Sequence, residues 1–183
     1  EKRIHPLKDD KILTDWNGLM IAAMAKGGKI LKKPVYIDAA IKSADFIIQN
    51  LIGNDGKLKK RFRNNQAGLQ PHIDDYAFFI WGILELYEAT FETRFLISAL
   101  ELSKIMVDDF YDDEDGGFFI GLCGAASRAS LHQHPAQLAG THDSHAVYQR
   151  SGASDLAGRL GAAALRHGDA AVVTAPNRVS LGV

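Results

Sequence analysis

The stretch from Ile73 to Thr90, IDDYAFFIWGILELYEAT, constrains the fold more than any other part of the chain. Tyr76, Phe79, Ile80, Ile83, Leu84 and Tyr87 recur at helical spacing and form one face. Phe78, Trp81 and Leu86 fill much of the opposite side, leaving Gly82, Glu85 and Glu88 for polar contact. A helix apolar nearly all round has to be buried. Two carboxylates open it. Asp74 suits the N-cap and Asp75 the first turn, where free N–H groups and the macrodipole favour negative charge.

An earlier stretch, TDWNGLMIAAMAKGG, has the same character. Thr14 and Asp15 offer cap chemistry, Trp16, Leu19, Met20 and Ala23 keep helical spacing, and Gly27-Gly28 suits a stop. Two other helical patterns are one-sided. After Pro34, Ile37, Ala40, Ile41, Ala44, Ile47, Ile48 and Leu51 make one stripe, with Asp38, Lys42, Asp45 and Gln49 opposite. In ETRFLISALELSKIMVDDF, Phe95, Ala99, Leu102 and Met106 form the apolar stripe. The spacing predicts helices over 15–26, 35–52, 74–90 and 93–110.

Between the helices, GNDGKLKKRFRNN carries an Asp-Gly turn and a short alternating run. Lys57, Lys59, Arg61 and Arg63 share one side of that strand, and Leu58 and Phe62 lie on the other. The pieces recur. Asp15-Trp16 corresponds to Asp75-Tyr76, the Tyr36 helix to the Phe95 helix, and Asn54-Asp55-Gly56 to Glu114-Asp115-Gly116, at a spacing of about 60 residues. Such helical hairpins stack because none buries its inner face alone. The expected fold is all-α: helical hairpins forming part of an α/α toroid, with short β turns between them and the first and third helices inside. In a four-helix bundle all four helices would look alike. Six units would need roughly twice this chain, so an open apolar flank is expected, covered by the tail or by a second copy in a homo-oligomer.

Residues 1–121 hold two such repeats. From 122 to 183 the text changes: every lysine lies at or before Lys104, five of the seven histidines lie at or after His132, and Ala, Gly, Arg and Ser dominate. This segment reads as a divergent or out-of-frame tail with room for one helix between Ser154 and His167. A net charge of −1 leaves no electrostatic footprint for nucleic acid or an acidic membrane surface. The apolar runs stop short of a membrane span, and Cys123 stands alone, so a cytoplasmic location is expected. No phosphate-binding loop, dinucleotide fingerprint or nucleophile elbow occurs, and no cofactor is expected. His132, His134, His142, Asp143 and His145 have metal-like spacing but no rigid element to hold them, so no metal site is assigned.

The segments DDKILTDWNGLMIAAMA, Gly56 to Arg63, IDDYAFFIWGILELYEATFE and FYDDEDGGFF together resemble the C-terminal half of the spermatogenesis-associated, thioredoxin-like protein family, over roughly residues 1–120. In that family a thioredoxin-like domain precedes an α/α toroid similar to six-hairpin glycosidases and N-acylglucosamine 2-epimerases. The resemblance implies a carbohydrate-active fold of glycoside hydrolase or sugar epimerase type, with a sugar as ligand. The chain has no paired cysteines, so no redox role transfers, and as a fragment it is expected to be inactive. The alternative is a non-catalytic helical scaffold or partner-binding domain, attached in the parent protein to the thioredoxin-like domain.

On that resemblance Asp74 and Asp75 are the catalytic candidates, since toroid enzymes set carboxylates where loops meet inner helices. Helix capping explains them as well, and position alone favours it. The helix dipole favours the ionised form, which suits a base or hydroxyl acceptor better than an acid. Asp15 forms the equivalent acidic mouth of the first helix, and Trp16 and Asn17 beside it offer stacking and hydrogen bonds to a sugar. A core position accounts for Trp16 as well. Arg61 and Arg63 offer forks for a carboxylate or phosphate, or simply a solvated edge. His72 is a proton carrier or a loop residue, and Tyr76 is a further substrate contact.

Overall fold

The computed structural model describes residues 3, 4, 6, 8–112 and 117–121, and the tail lies outside them with its cysteine and histidine clusters. Seven elements follow in order: β1 (Ile12–Leu13), α1 (Thr14–Leu31), α2 (Pro34–Asn50), β2 (Arg61–Arg63), β3 (Gln66–Gly68), α3 (Ile73–Thr90) and α4 (Thr93–Phe110). The chain is mostly helical, as the periodicity requires, with one small antiparallel sheet in the order β1-β2-β3.

The α1–α2 and α3–α4 pairs are hairpins, and α1 packs along α3. Glycines set that contact. A Cβ on Gly18 would lie 2.5 Å from the carbonyl carbon of Phe78, and one on Gly82 would lie 2.6 Å from the Gly18 carbonyl oxygen. Only the absence of both side chains lets the two backbones approach this closely. The core then grows from α3, whose Tyr76, Phe79, Ile80, Ile83 and Leu86 are wholly enclosed, together with Phe95, Ala99 and Phe110 of α4 and Ala40, Ala44 and Ile47 of α2.

Each hairpin closes on itself by the same backbone bonds. In the first, Ile52 bridges Leu58, Lys59 N–H donates to the Leu51 carbonyl at 2.8 Å, and Thr14 N–H donates to the Lys60 carbonyl at 3.1 Å. In the second, Tyr111 bridges Phe118, Phe119 N–H donates to the Phe110 carbonyl at 2.8 Å, and Ile73 N–H donates to the Ile120 carbonyl at 3.0 Å. A strand segment following each outer helix therefore receives the first free N–H of its own inner helix.

Three expectations change. The first helix runs through Gly27-Gly28 to Leu31 and ends on Lys32 in the left-handed region (φ 52°). Gly28 serves packing rather than termination, since a Cβ there would lie 2.6 Å from the Ile37 side chain. Beyond the single expected strand there is a hairpin, turned by Asn64 and Asn65 with φ of 52° and 57°, the pair of left-handed residues a tight hairpin needs. Finally, α3 is enclosed but α1 is not. Trp16, Met20, Ile30 and Leu31 are exposed on the side of α1 away from α3.

Candidate functional site

The start of α3 differs from the sequence expectation by two residues. His72, not Asp74, is the N-cap; Ile73 is the first helical residue, and Asp75 the third. From there the Asp75 carboxylate reaches back to accept the His72 N–H at 2.8 Å, the carboxylate half of a capping box. Asp75 is wholly buried, and Asp74, in the same first turn, is half-buried.

Asp15 occupies the corresponding turn of α1, where its Oδ1 accepts the Trp16 N–H at 2.8 Å. The two helix mouths converge on one cation. Lys60 Nζ lies 3.5 Å from Asp15 Oδ2, 3.4 Å from Asp75 Oδ2 and 3.4 Å from His72 Nδ1. Its backbone carbonyl meanwhile receives the first N–H of α1, so the ammonium is anchored close to where the helices begin.

Burial pushes the Asp75 carboxyl up from its ordinary value, against the His72 hydrogen bond and the attraction of Lys60; Asp15 adds to the rise by like-charge repulsion. The direction is opposite to the one a helix N-terminus favours, and burial is its largest cause. Oδ1 of Asp75 is buried with no hydrogen-bond partner, which removes a further source of stabilisation for the ionised form. A carboxyl of raised pKa inclines towards acid rather than base chemistry. Its burial means that Lys60, Asp15 and the exposed His72 stand between it and solvent.

Other expected site residues lie elsewhere or are already engaged. Tyr76 is a core residue: its hydroxyl accepts the Leu58 N–H at 3.1 Å, its ring packs on Phe110, and burial pushes its pKa up to about 12. It has no face for a ligand. Asn17 joins the end of β1 to α2, donating to the Leu13 carbonyl at 2.7 Å and accepting from Ser43 at 3.3 Å. Arg63 pairs with Asp10 at 2.6 Å. Arg61 is half-buried, its Nε enclosed without a hydrogen-bond partner. Trp16 is exposed, contrary to a core position, and belongs to the open face of α1.

Lys60 is the residue sequence reasoning passed over. Its signal was present: in the alternating run Lys60 falls between Leu58 and Phe62, on the inward face, where a lysine requires a carboxylate partner. The described residues contain no group of three or more His, Cys, Asp and Glu side chains placed to hold a metal ion. No described helix is long and apolar enough to cross a membrane.

No protein-family model matches the chain. It is 32% identical over 120 residues to spermatogenesis-associated protein 20 of Rattus norvegicus, covering 61% of this chain and 15% of that protein. The Homo sapiens protein of the same name is 32% identical over 126 residues, covering 64% and 16%. The chain thus spans about one sixth of the length of the curated relatives it matches. Among solved structures it is similar to the cellobiose 2-epimerase of Bacillus thermoamylovorans, with TM-score 0.58 and 18% identity over 63% of this chain and 31% of that one. A GH76 α-mannanase of Bacteroides thetaiotaomicron matches with TM-score 0.56 and 15% identity over 87% of this chain and 46% of that one. At such identities the likeness is one of fold, and that fold is the α/α toroid. Over about 60% of its length the chain is a homologue of spermatogenesis-associated protein 20, built as an arc of such a toroid.

Proposed function

We propose that this chain is the part of a sugar-processing α/α toroid, of epimerase or glycoside hydrolase type, that contributes one acidic wall of the active site. The observation that carries the reading is the convergence of two repeat-equivalent carboxylates, Asp15 and Asp75, on Lys60 at the mouths of adjacent inner helices. Asp75 holds the ammonium in place, while Asp15, Lys60 and His72 reach solvent, where they can bind sugar hydroxyls and pass protons. Asp74, on the same turn, is the remaining carboxylate that a substrate can reach.

One observation favours a second reading, a non-catalytic helical scaffold. Asp75 caps its own helix and is closed off from solvent, as a purely structural carboxylate would be. The two readings part on a panel of glycosides, aldoses and aminosugars offered to full-length spermatogenesis-associated protein 20, the longer homologue. Turnover or saturable binding that is lost on replacing the lysine equivalent to Lys60 by methionine supports the enzyme. If no sugar is bound or converted, the scaffold stands.

A further inference from the structure

We propose that Arg61 anchors a small-anion site on the β sheet, where its guanidinium binds a phosphate or carboxylate group carried by a ligand. Arg61 and Arg63 flank Phe62, whose ring packs on Phe46 of α2, so the two arginines project from the other face of β2. The cations around Arg61 are already taken. Lys57 pairs with Asp109 at 2.6 Å, Lys59 stands 3.7 Å from Asp55, Arg63 pairs with Asp10 at 2.6 Å, and Lys11 pairs with Asp9 at 3.1 Å. Arg61 alone of this group makes no ion pair or hydrogen bond among the described residues, and its Nε is enclosed without an acceptor. A guanidinium keeps its charge under all conditions, so leaving it half-buried and unbonded costs free energy that an oxyanion would recover.

Room for the anion lies beside the same side chain. In the β2–β3 register Arg61 stands opposite Gly68, and residues directly opposite in an antiparallel pair project from one face, about 5 Å apart. A Cβ on Gly68 would meet nothing within 4 Å, which leaves a gap next to the Arg61 stem. Leu13, opposite Arg61 on the β1 side, is half-buried and closes the other flank. Charge selects the ligand. Asp9, Asp10, Asp55 and Asp109 are each matched by their own cation, so the surplus is the single charge of Arg61. One surplus charge suits one oxyanion group, and the carboxylates around it repel a polyanion such as nucleic acid. The guanidinium fork donates to two oxygens of a phosphate or carboxylate at once. This site stands apart from Lys60 and does not depend on the sugar-processing reading.

Titration of the 183-residue chain with inorganic phosphate, acetate and chloride in separate series, followed by the NMR signals of Arg61 Nε–H and Gly68 N–H, tests the proposal. Saturation by phosphate or acetate with a Kd on the order of 1 mM is expected, as two charge-assisted hydrogen bonds near a surface would give. The tighter of the two names the source of the oxyanion, and equal binding leaves the shared chemistry in place. Arg61→Met, which keeps the apolar stem, weakens binding at least about tenfold. Gly68→Glu places an internal carboxylate in the open space beside Arg61 and weakens binding as strongly, with the arginine and its strand intact. Lys104→Met removes one positive charge on α4 and leaves the Kd unchanged. If neither oxyanion saturates, or if Arg61→Met and Gly68→Glu bind as well as wild type, the proposal is overturned. A response that chloride reproduces at equal ionic strength shows an adventitious ion only and overturns it as well.

Discussion

Asp75 meets two opposing demands on a carboxylate. Its place in the first turn of α3 and its bond from His72 N–H favour the charge, and its complete burial opposes it. Burial prevails, so the carboxyl titrates above its unfolded value of 3.8. The contribution of this group to stability is therefore fully present below 3.8 and is lost as pH rises through the higher folded value. Asp75→Asn removes that dependence while keeping an oxygen for the His72 N–H. Relative to wild type, the variant is expected to gain stability on going from pH 3.5 to pH 7, read from urea melts at the two values. A relative loss over the same interval would show that Lys60 and the helix end dominate instead. The acidic mouths were legible as residues, because Asp next to a helix start has a physical reason to be there. Their convergence was not, since it depends on the direction of one lysine side chain across two repeats.

Between elements, the α1–α3 contact depends on two missing side chains. Gly18→Ala forces a methyl group to within 2.5 Å of Phe78 backbone, which no rotamer change relieves. We expect a loss of about 3 kcal/mol in denaturant unfolding, despite the gain in helix propensity. A neutral result would mean that the helices stand farther apart. The four helices were legible from periodicity alone because their stripes are long, and α4 runs over the expected 93–110. The β2–β3 hairpin was not, because Gln66–Gly68 has no apolar alternation and the signal lies in the backbone of Asn64-Asn65. The length of α1 was misread for a related reason. Glycine marks either a stop or a close approach, and only the position of Ile37 in α2 tells which.

For the whole molecule, the relevant measure is how much of a ring is present. The chain covers 31% of the cellobiose 2-epimerase it resembles, and a ring enzyme assembles its site from loops contributed around the circle. The 183-residue chain is accordingly expected to turn over no sugar, and turnover abolished by Asp75→Asn would show that this arc suffices. The self-closing hairpins bear on ancestry as well. Because Thr14 and Ile73 each donate to a carbonyl within their own unit, a tandem copying event of about 60 residues carries every capping bond with it. New units can therefore arrive by duplication without backbone redesign, and only single side chains need change afterwards. Side chains at matching positions do differ: where the first unit has Lys60 the second has Ile120, so only the first unit carries a cation between the helix mouths.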